Sequence, residues 1–401
     1  MIGIRAARMF SAASEAVTDD AVIVVDDDGH IRASGKRGEV SVPASAENVE
    51  FQNATVLPGL IDMHMHLMGG DAKEAKALGY DTLNYGGLST LVVRCVLNAR
   101  AALMRGVTTI RDVAAPSEAI FSVRRAIESR WIPGPRIFAT GRAISMTGGH
   151  AWDIGCLVME ADGVDGVRKA ARDQLKLGAD GLKLMATGGA GTAGERVYDV
   201  QLTVEEMRAA IDEAHKKGKW VAAHATGTEG VMRAIEAGID SIEHGLMLDD
   251  AIVKAMVERN VYYDPTLDVY ARIAERGEET GTAPYMVAKA KAALEAHRRS
   301  FKLAMQAGVK IVTGSDSGGI VWPVADVAAE VKRMVDLGMS APKALIAATR
   351  TSAESLGQLN SFGTIESGRW ADLVIVEGNP VADITALSRV LAVYKGGERI
   401  R

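Results

Sequence analysis

Val56-Leu57-Pro58-Gly59-Leu60-Ile61-Asp62-Met63-His64-Met65-His66-Leu67-Met68-Gly69-Gly70 is the stretch from which the rest of the chain is read. Apolar residues bounded by a Pro-Gly pair and a Gly-Gly pair form the pattern of a short buried strand. Side chains two apart on a strand leave the same face, so His64 and His66 project together. Two imidazoles converging at a strand end can take one metal ion. The alternative is a pair of buried, hydrogen-bonded histidines. The choice rests on whether other strand ends supply further ligands.

Outward from this stretch the pattern alternates. Strand-like apolar runs fall at Val107–Ile110, Arg136–Thr140, Gly181–Met185, Trp220–His224, Ser241–His244, Val261–Tyr263 and Lys310–Thr313. Helical patterns separate many of them, at Val123–Arg130, Val164–Leu177, Val204–Lys217, Gly230–Ala237, Asp249–Arg259 and Ala341–Leu356. Gly106, Gly178, Gly218, Gly238 and Gly308 stand where helices should stop. With the strand at 56–61 this makes eight strands alternating with helices. Such a count predicts an α/β fold, a (β/α)8 TIM-like barrel over 57–357, rather than an open doubly wound sheet. No Gly-x-Gly-x-x-Gly follows an early strand, which argues against a dinucleotide-binding domain. Arg272–Pro284 is polar and contains glycine, and reads as a loop beside the barrel mouth.

Both ends read differently. Ala21–Val25 is apolar and closes on Asp26-Asp27-Asp28-Gly29; Asp372–Val376 and Val390–Lys395 echo it near the other end. Strand clusters at both termini predict a small β-sandwich domain composed of 1–56 and 358–401. The 401 residues are 48% hydrophobic and 24% charged, enough for a large core. A net charge of −5 without a basic stripe argues against nucleic acid as a partner. No apolar run is long enough to suggest a membrane span, and Met1-Ile-Gly-Ile-Arg5 lacks a signal-peptide pattern. Cys95 and Cys156 read as free thiols in a reducing compartment, so a cytoplasmic location is expected.

Four more strand ends carry chemistry. Lys183 lies inside the apolar run Gly181–Met185, where a charged amine is costly unless paired or neutralised. His224, His244 and Asp316 end later strands, the last within Thr313-Gly-Ser-Asp316-Ser-Gly318. Each alone could be structural, but together with His64 and His66 they share the face where barrels keep their catalytic residues. Imidazole, carboxylate and water suit zinc or a similar divalent ion.

Pro58-Gly-Leu-Ile-Asp62-Met-His64-Met-His66, Lys183, His224, His244 and Asp316, in this order, resemble the amidohydrolase superfamily. Gly363-Thr-Ile-Glu-Ser-Gly368 and Ala371-Asp372-Leu-Val374 resemble its returning β-domain. Thr108–Asp112, Gly134-Pro-Arg136, Thr147-Gly-Gly-His150 and Thr187-Gly-Gly189 are similar to the branch of imidazolonepropionase-like enzymes, Xaa-Pro dipeptidases and Lys/Arg carboxypeptidases. The resemblance implies a binuclear centre of two divalent ions, zinc foremost. His64, His66 and Asp316 would hold one ion, His224 and His244 the other, and an N-carboxylated Lys183 would bridge both. It also implies a metal-bridging hydroxide as nucleophile, Asp316 as proton shuttle, and His150 as a second donor to the oxyanion.

The expected substrate is a small-molecule amide. In dipeptide-cleaving relatives a Tyr or His two residues after the His224-type ligand helps hold a carboxylate; here Thr226 stands there. Arg196, Tyr198, Tyr270 and Trp322 are further candidates for substrate contact, because they lie in loops after ligand-bearing strands. The reaction read from this is hydrolysis of an exocyclic amide or peptide bond in a dipeptide, N-acyl amino acid or aryl amide. A cyclic amide, carbamate or urea is the alternative. A non-catalytic scaffold is disfavoured because all six ligands are present. The chain is also expected to form a homo-oligomer.

Overall fold

Pro58-Gly59 sits where the chain leaves one sheet and enters another. The computed structural model describes residues 1–70, 87–318 and 326–401. Strand β4 (Glu47–Pro58) ends at the pair and β5 (Leu60–Met65) begins after it. Gly59 N donates to Asp372 O at 2.8 Å and Leu60 N to Gly106 O at 2.9 Å, so the two sheets are stitched on either side of one peptide. A Cβ on Gly59 would lie 2.0 Å from the Thr108 hydroxyl oxygen, which is why only glycine makes this passage.

Both chain ends build the first sheet. β1 (Ile2–Phe10), β2 (Val17–Val25) and β3 (Ile31–Lys36) come from the N-terminal region. β14 (Leu373–Glu377), β15 (Val390–Lys395) and β16 (Glu398–Arg399) come from the C-terminal region. The order is β16-β15-β14-β4-β1-β2-β3. β4 lies parallel to β1 and antiparallel to β14. Where the two facing sheets of a sandwich were expected, the described strands hydrogen-bond into one seven-stranded ladder. The physical reason is β4, which carries a partner on each edge and joins the strands of both termini.

The middle of the chain forms parallel strands flanked by helices. β5, β6 (Val107–Asp112) and β7 (Arg136–Ala139) make one sheet. β8 (Ala143–Ser145), β9 (Val158–Glu160), β10 (Gly181–Met185), β11 (Trp220–Ala225), β12 (Ser241–His244) and β13 (Tyr262–Asp264) make another, in the order β13-β12-β11-β10-β8-β9. Asp180 N bonds Ala139 O at 2.8 Å and links the two. The run expected as a strand at 310–313 forms bridges rather than a ladder. Val312 N donates to Tyr263 O at 2.9 Å, while Met63 N donates to Thr313 O and Asp316 N to His64 O, both at 2.8 Å. This segment therefore lies between β13 and β5.

Strand alternation then sorts the side chains. Leu182, Leu184, Val221 and Ala223 face the core beneath the helices, whereas Lys183, Met185 and His224 line a cavity.

A further expectation is corrected. Arg272–Pro284 is not a loop: helix Leu267–Thr280 covers most of it. Tyr270, Ile273, Ala274 and Gly277 recur at helical spacing and are buried, a pattern masked by the charged run Glu275–Glu279. Helix Gly87–Met104 is long and apolar enough, by length and composition, to cross a membrane. Its inner side buries Arg94, Cys95 and Asn98, and Asn98 donates to the carbonyls of Leu67 and Gly69 at 2.9 and 3.2 Å. Cys95 is buried, Cys156 is exposed, and neither is disulfide-bonded.

Candidate metal centre

Four imidazoles meet at the ends of β5, β11 and β12. Ring centroids lie 5.3 Å apart for His64 and His66, 4.9 Å for His64 and His244, and 4.6 Å for His224 and His244. Each ring has one nitrogen held from behind. His64 Nδ1 meets Glu243 Oε2 at 2.8 Å, His66 Nδ1 meets Ala114 O at 3.0 Å, and His244 Nδ1 meets Thr266 Oγ1 at 2.7 Å. His224 is reversed, with Nε2 on Gly188 O at 3.1 Å. These contacts fix which nitrogen of each ring is presented to the cavity, as outer partners do for metal-ligating histidines. Asp316 Oδ1 stands 3.3 Å from His66 Nε2 and 3.6 Å from His64 Nε2. Ligand-type atoms of His64, His244 and Asp316 all lie within 4.8 Å of one another.

The backbone is bent to achieve this. His244 has φ 70° and Asp316 φ 50°, in the left-handed region that ordinary residues avoid. At the end of β12 the turn lets adjacent residues serve one site: Glu243 reaches His64 while His244 lines the cavity.

Lys183 lines the same cavity, fully buried, and its Nζ has no hydrogen-bond partner among the described residues. Burial lowers its pKa to about 8, a pull that the carboxylates of Glu243, Asp316 and Asp264 only partly oppose. Burial, reinforced by the Lys183 charge, also holds His64 neutral, at about 4, and it pushes His224 and His244 well below the ordinary range. These are ligand-ready imidazoles. At His66 burial is outweighed by the Asp316 hydrogen bond and charge, so its pKa rises. At Asp316 burial is outweighed by His64, His66 and Lys183, leaving it at about 2. An orphaned buried amine beside neutral imidazoles and an ionised carboxylate is a donor set that divalent cations fit.

Glu243 anchors the floor. Arg111 Nη2 donates to Glu243 Oε1 and Oε2 at 2.8 and 2.9 Å, and Arg111 Nε bonds the Met63 carbonyl at 2.5 Å. Asp112 accepts from Leu67 N at 2.7 Å and holds the turn after His66. Both residues lock the frame around the histidines.

His150 lies across the cavity, its ring stacked on that of His224 with centroids 4.1 Å apart. Tyr270 joins the lining, as do Ile154, Leu157, Val269, Ile273 and Met286, which make an apolar wall. The other substrate candidates fall elsewhere. Thr226 is buried behind the site and its hydroxyl ties Gly188 O to the Val197 carbonyl. Arg196 pairs with Asp199 and stacks over the half-exposed Tyr198 ring, away from the lining. Trp322 lies outside the described residues. Of the remaining histidines, His215 meets Asp240 at the surface and His297 is buried on Pro265 O. Sequence reasoning missed Glu243, Thr266 and Glu195, the last on His150 Nδ1. No spacing rule marks them, because each acts on a histidine far away in sequence.

Known proteins resemble this chain over most of its length. Residues 55–400 match the model of the amidohydrolase family. An ochratoxinase of Aspergillus niger is 31% identical over 376 residues, covering 86% of this chain and 75% of the relative. An imidazolonepropionase from a Bradyrhizobium species is 25% identical over 394 residues, covering 90% of this chain and 88% of the relative. The crystal structure of a Xaa-Pro dipeptidase with bound methionine in its active site superposes with a TM-score of 0.88 at 33% identity, covering 99% of each chain. The chain belongs to the amidohydrolase family and is a hydrolase of C–N amide bonds.

Proposed function

We propose that the cavity binds two divalent metal ions, zinc foremost, and hydrolyses an exocyclic amide or peptide bond that carries a bulky apolar group. The observation behind this reading is Lys183: a buried amine with no hydrogen-bond partner among the described residues, ringed by four histidines and Asp316. His64, His66 and Asp316 would hold one ion, and His224 and His244 the other. Lys183, N-carboxylated, would bridge them, which removes the cost of burying a bare ammonium. When bound, such ions polarise a carbonyl and bring the pKa of water to about 7.

The residues of the chain do the rest. Asp316, ionised, accepts the proton of the attacking water and returns it to the leaving amine. His150 offers a hydrogen bond to the carbonyl oxygen as it gains charge. The wall of Ile154, Leu157, Ile273 and Met286 takes the apolar group and excludes water. Dipeptides, N-acyl amino acids and aryl amides are the substrate candidates; a Xaa-Pro dipeptidase and an ochratoxinase among the relatives support them. In the same reading the parallel strands and the segment 310–317 close into a (β/α)8 barrel over 57–357. Residues 1–56 and 358–401 form its composite β-domain.

The test is elemental analysis of chelator-free protein, joined to a hydrolysis screen of dipeptides, N-acyl amino acids and aryl amides, with lactams and carbamates as the contrast. About two divalent ions per chain and turnover of the first group are expected. Activity that survives metal removal would sink the metal reading. Turnover of lactams or carbamates alone would move the reaction class.

A further inference from the structure

The segment between β10 and helix Val204–His215 supplies no ligand, yet it closes a ring of hydrogen bonds around His150. His150 Nδ1 meets Glu195 Oε1 at 2.5 Å. Gly189 N donates to the same oxygen at 2.8 Å. Gln201 spans the two residues: its Nε2 donates to Glu195 Oε2 at 2.9 Å, and its Oε1 accepts from the His150 backbone N at 2.8 Å. Lys289 Nζ pins the same segment by the carbonyls of Gly189 and Thr192, at 3.0 and 2.6 Å. A Cβ on Gly189 would lie 2.4 Å from His150 Cε1 and 2.7 Å from His224 Nε2, so the glycine lets both rings sit down on the backbone.

We infer that Glu195 is a positioning residue for the hydrolysis proposed above, holding the His150 ring by Nδ1 so that Nε2 is the nitrogen presented to the substrate carbonyl. The inference rests on that reading of the site. A buried carboxylate is costly unless its oxygens are bonded, and here three donors converge on one. A ring held only by packing could turn over and exchange its nitrogens. A ring whose Nδ1–H is taken by a carboxylate has one tautomer and one face toward the cavity. Gln201 adds the second constraint by tying Glu195 to the His150 backbone, which fixes the ring plane. The neighbouring Ala151, at φ 67°, carries the backbone bend that brings His150 to this place.

The experiment reads the ring directly. Long-range proton–nitrogen spectra of metal-loaded, nitrogen-15-histidine-labelled protein report the His150 tautomer without any substrate. Wild type should show Nδ1 protonated, and Glu195→Gln should shift or mix the tautomers. In hydrolysis, Glu195→Gln should lose about 10- to 100-fold in kcat with KM little changed and metal content retained. In a His150→Ala background it should lose nothing more, because its effect passes through the ring. Should Glu195→Gln fail to fold, Gln201→Ala, which keeps the carboxylate but frees it, is read the same way. An unchanged tautomer, or an equal loss in the His150→Ala background, overturns the inference. Absence of amide hydrolysis in wild type would instead overturn the proposed function, with the spectra still deciding whether Glu195 holds the ring.

Discussion

Lys183 makes a prediction that needs no substrate. In metal-stripped protein its folded pKa, about 8, lies below the ordinary lysine value of 10.5 because of burial. A lowered folded value means that the penalty is full below pH 8 and fades as pH rises toward the unfolded value. Stability of the stripped protein should therefore rise by about 1 kcal/mol between pH 7 and 9, and Lys183→Met should abolish that slope. Denaturant titrations at the two pH values check it; equal slopes would show that the amine is not carrying the cost. Asp316 makes the second prediction. Its backbone is left-handed, a conformation that asparagine tolerates well, so Asp316→Asn keeps the shape and one oxygen. Metal content should stay near wild type while kcat falls by about 10²–10⁴, as expected for a lost general base. Near-normal kcat in the metallated variant would remove Asp316 from proton transfer. The residues that line the cavity at strand ends were readable in sequence, because an apolar run that stops on His, Lys or Asp is unusual. Their supporters were not: Glu243 lies 179 residues from the His64 it holds.

Helix Leu267–Thr280 shapes one wall of the cavity, since Val269, Tyr270 and Ile273 reach its lining from one face. Ile273→Ala should raise KM by about 10-fold or more for amides with a bulky apolar group, and much less for an acetyl amide. Equal KM changes for large and small substrates would mean that the wall does not contact substrate. This helix was misread because its outer face is a run of charge, and composition outweighed the spacing of its buried residues. The parallel strands were legible for the opposite reason, each being a short apolar run after a helix stop. The segment 310–317 was legible as apolar but not as a set of bridges, because which neighbours it bonds is settled by the sheets on either side.

The terminal sheet and the candidate metal centre share one piece of chain, so neither is expected to fold alone. β14 lies inside the seven-stranded sheet between β15 and β4, and it pairs with Leu57 and Pro58 just before β5 begins. Removing everything after Trp370 should yield insoluble protein with no retained metal, rather than a smaller working enzyme. Soluble, metal-loaded truncated protein would show that the terminal sheet is dispensable. The passage through Pro58-Gly59 also has a history in time. On the ribosome, β4 is made early and Leu373 more than 300 residues later, which at about 5–20 residues per second leaves one edge of β4 open for roughly 15–60 s. That edge runs through the apolar residues Val56 and Leu57, so nascent chains offer one another a strand to copy before the proper one exists. Yield in a cell should thus depend on translation speed and holding chaperones more than on the stability of the finished molecule.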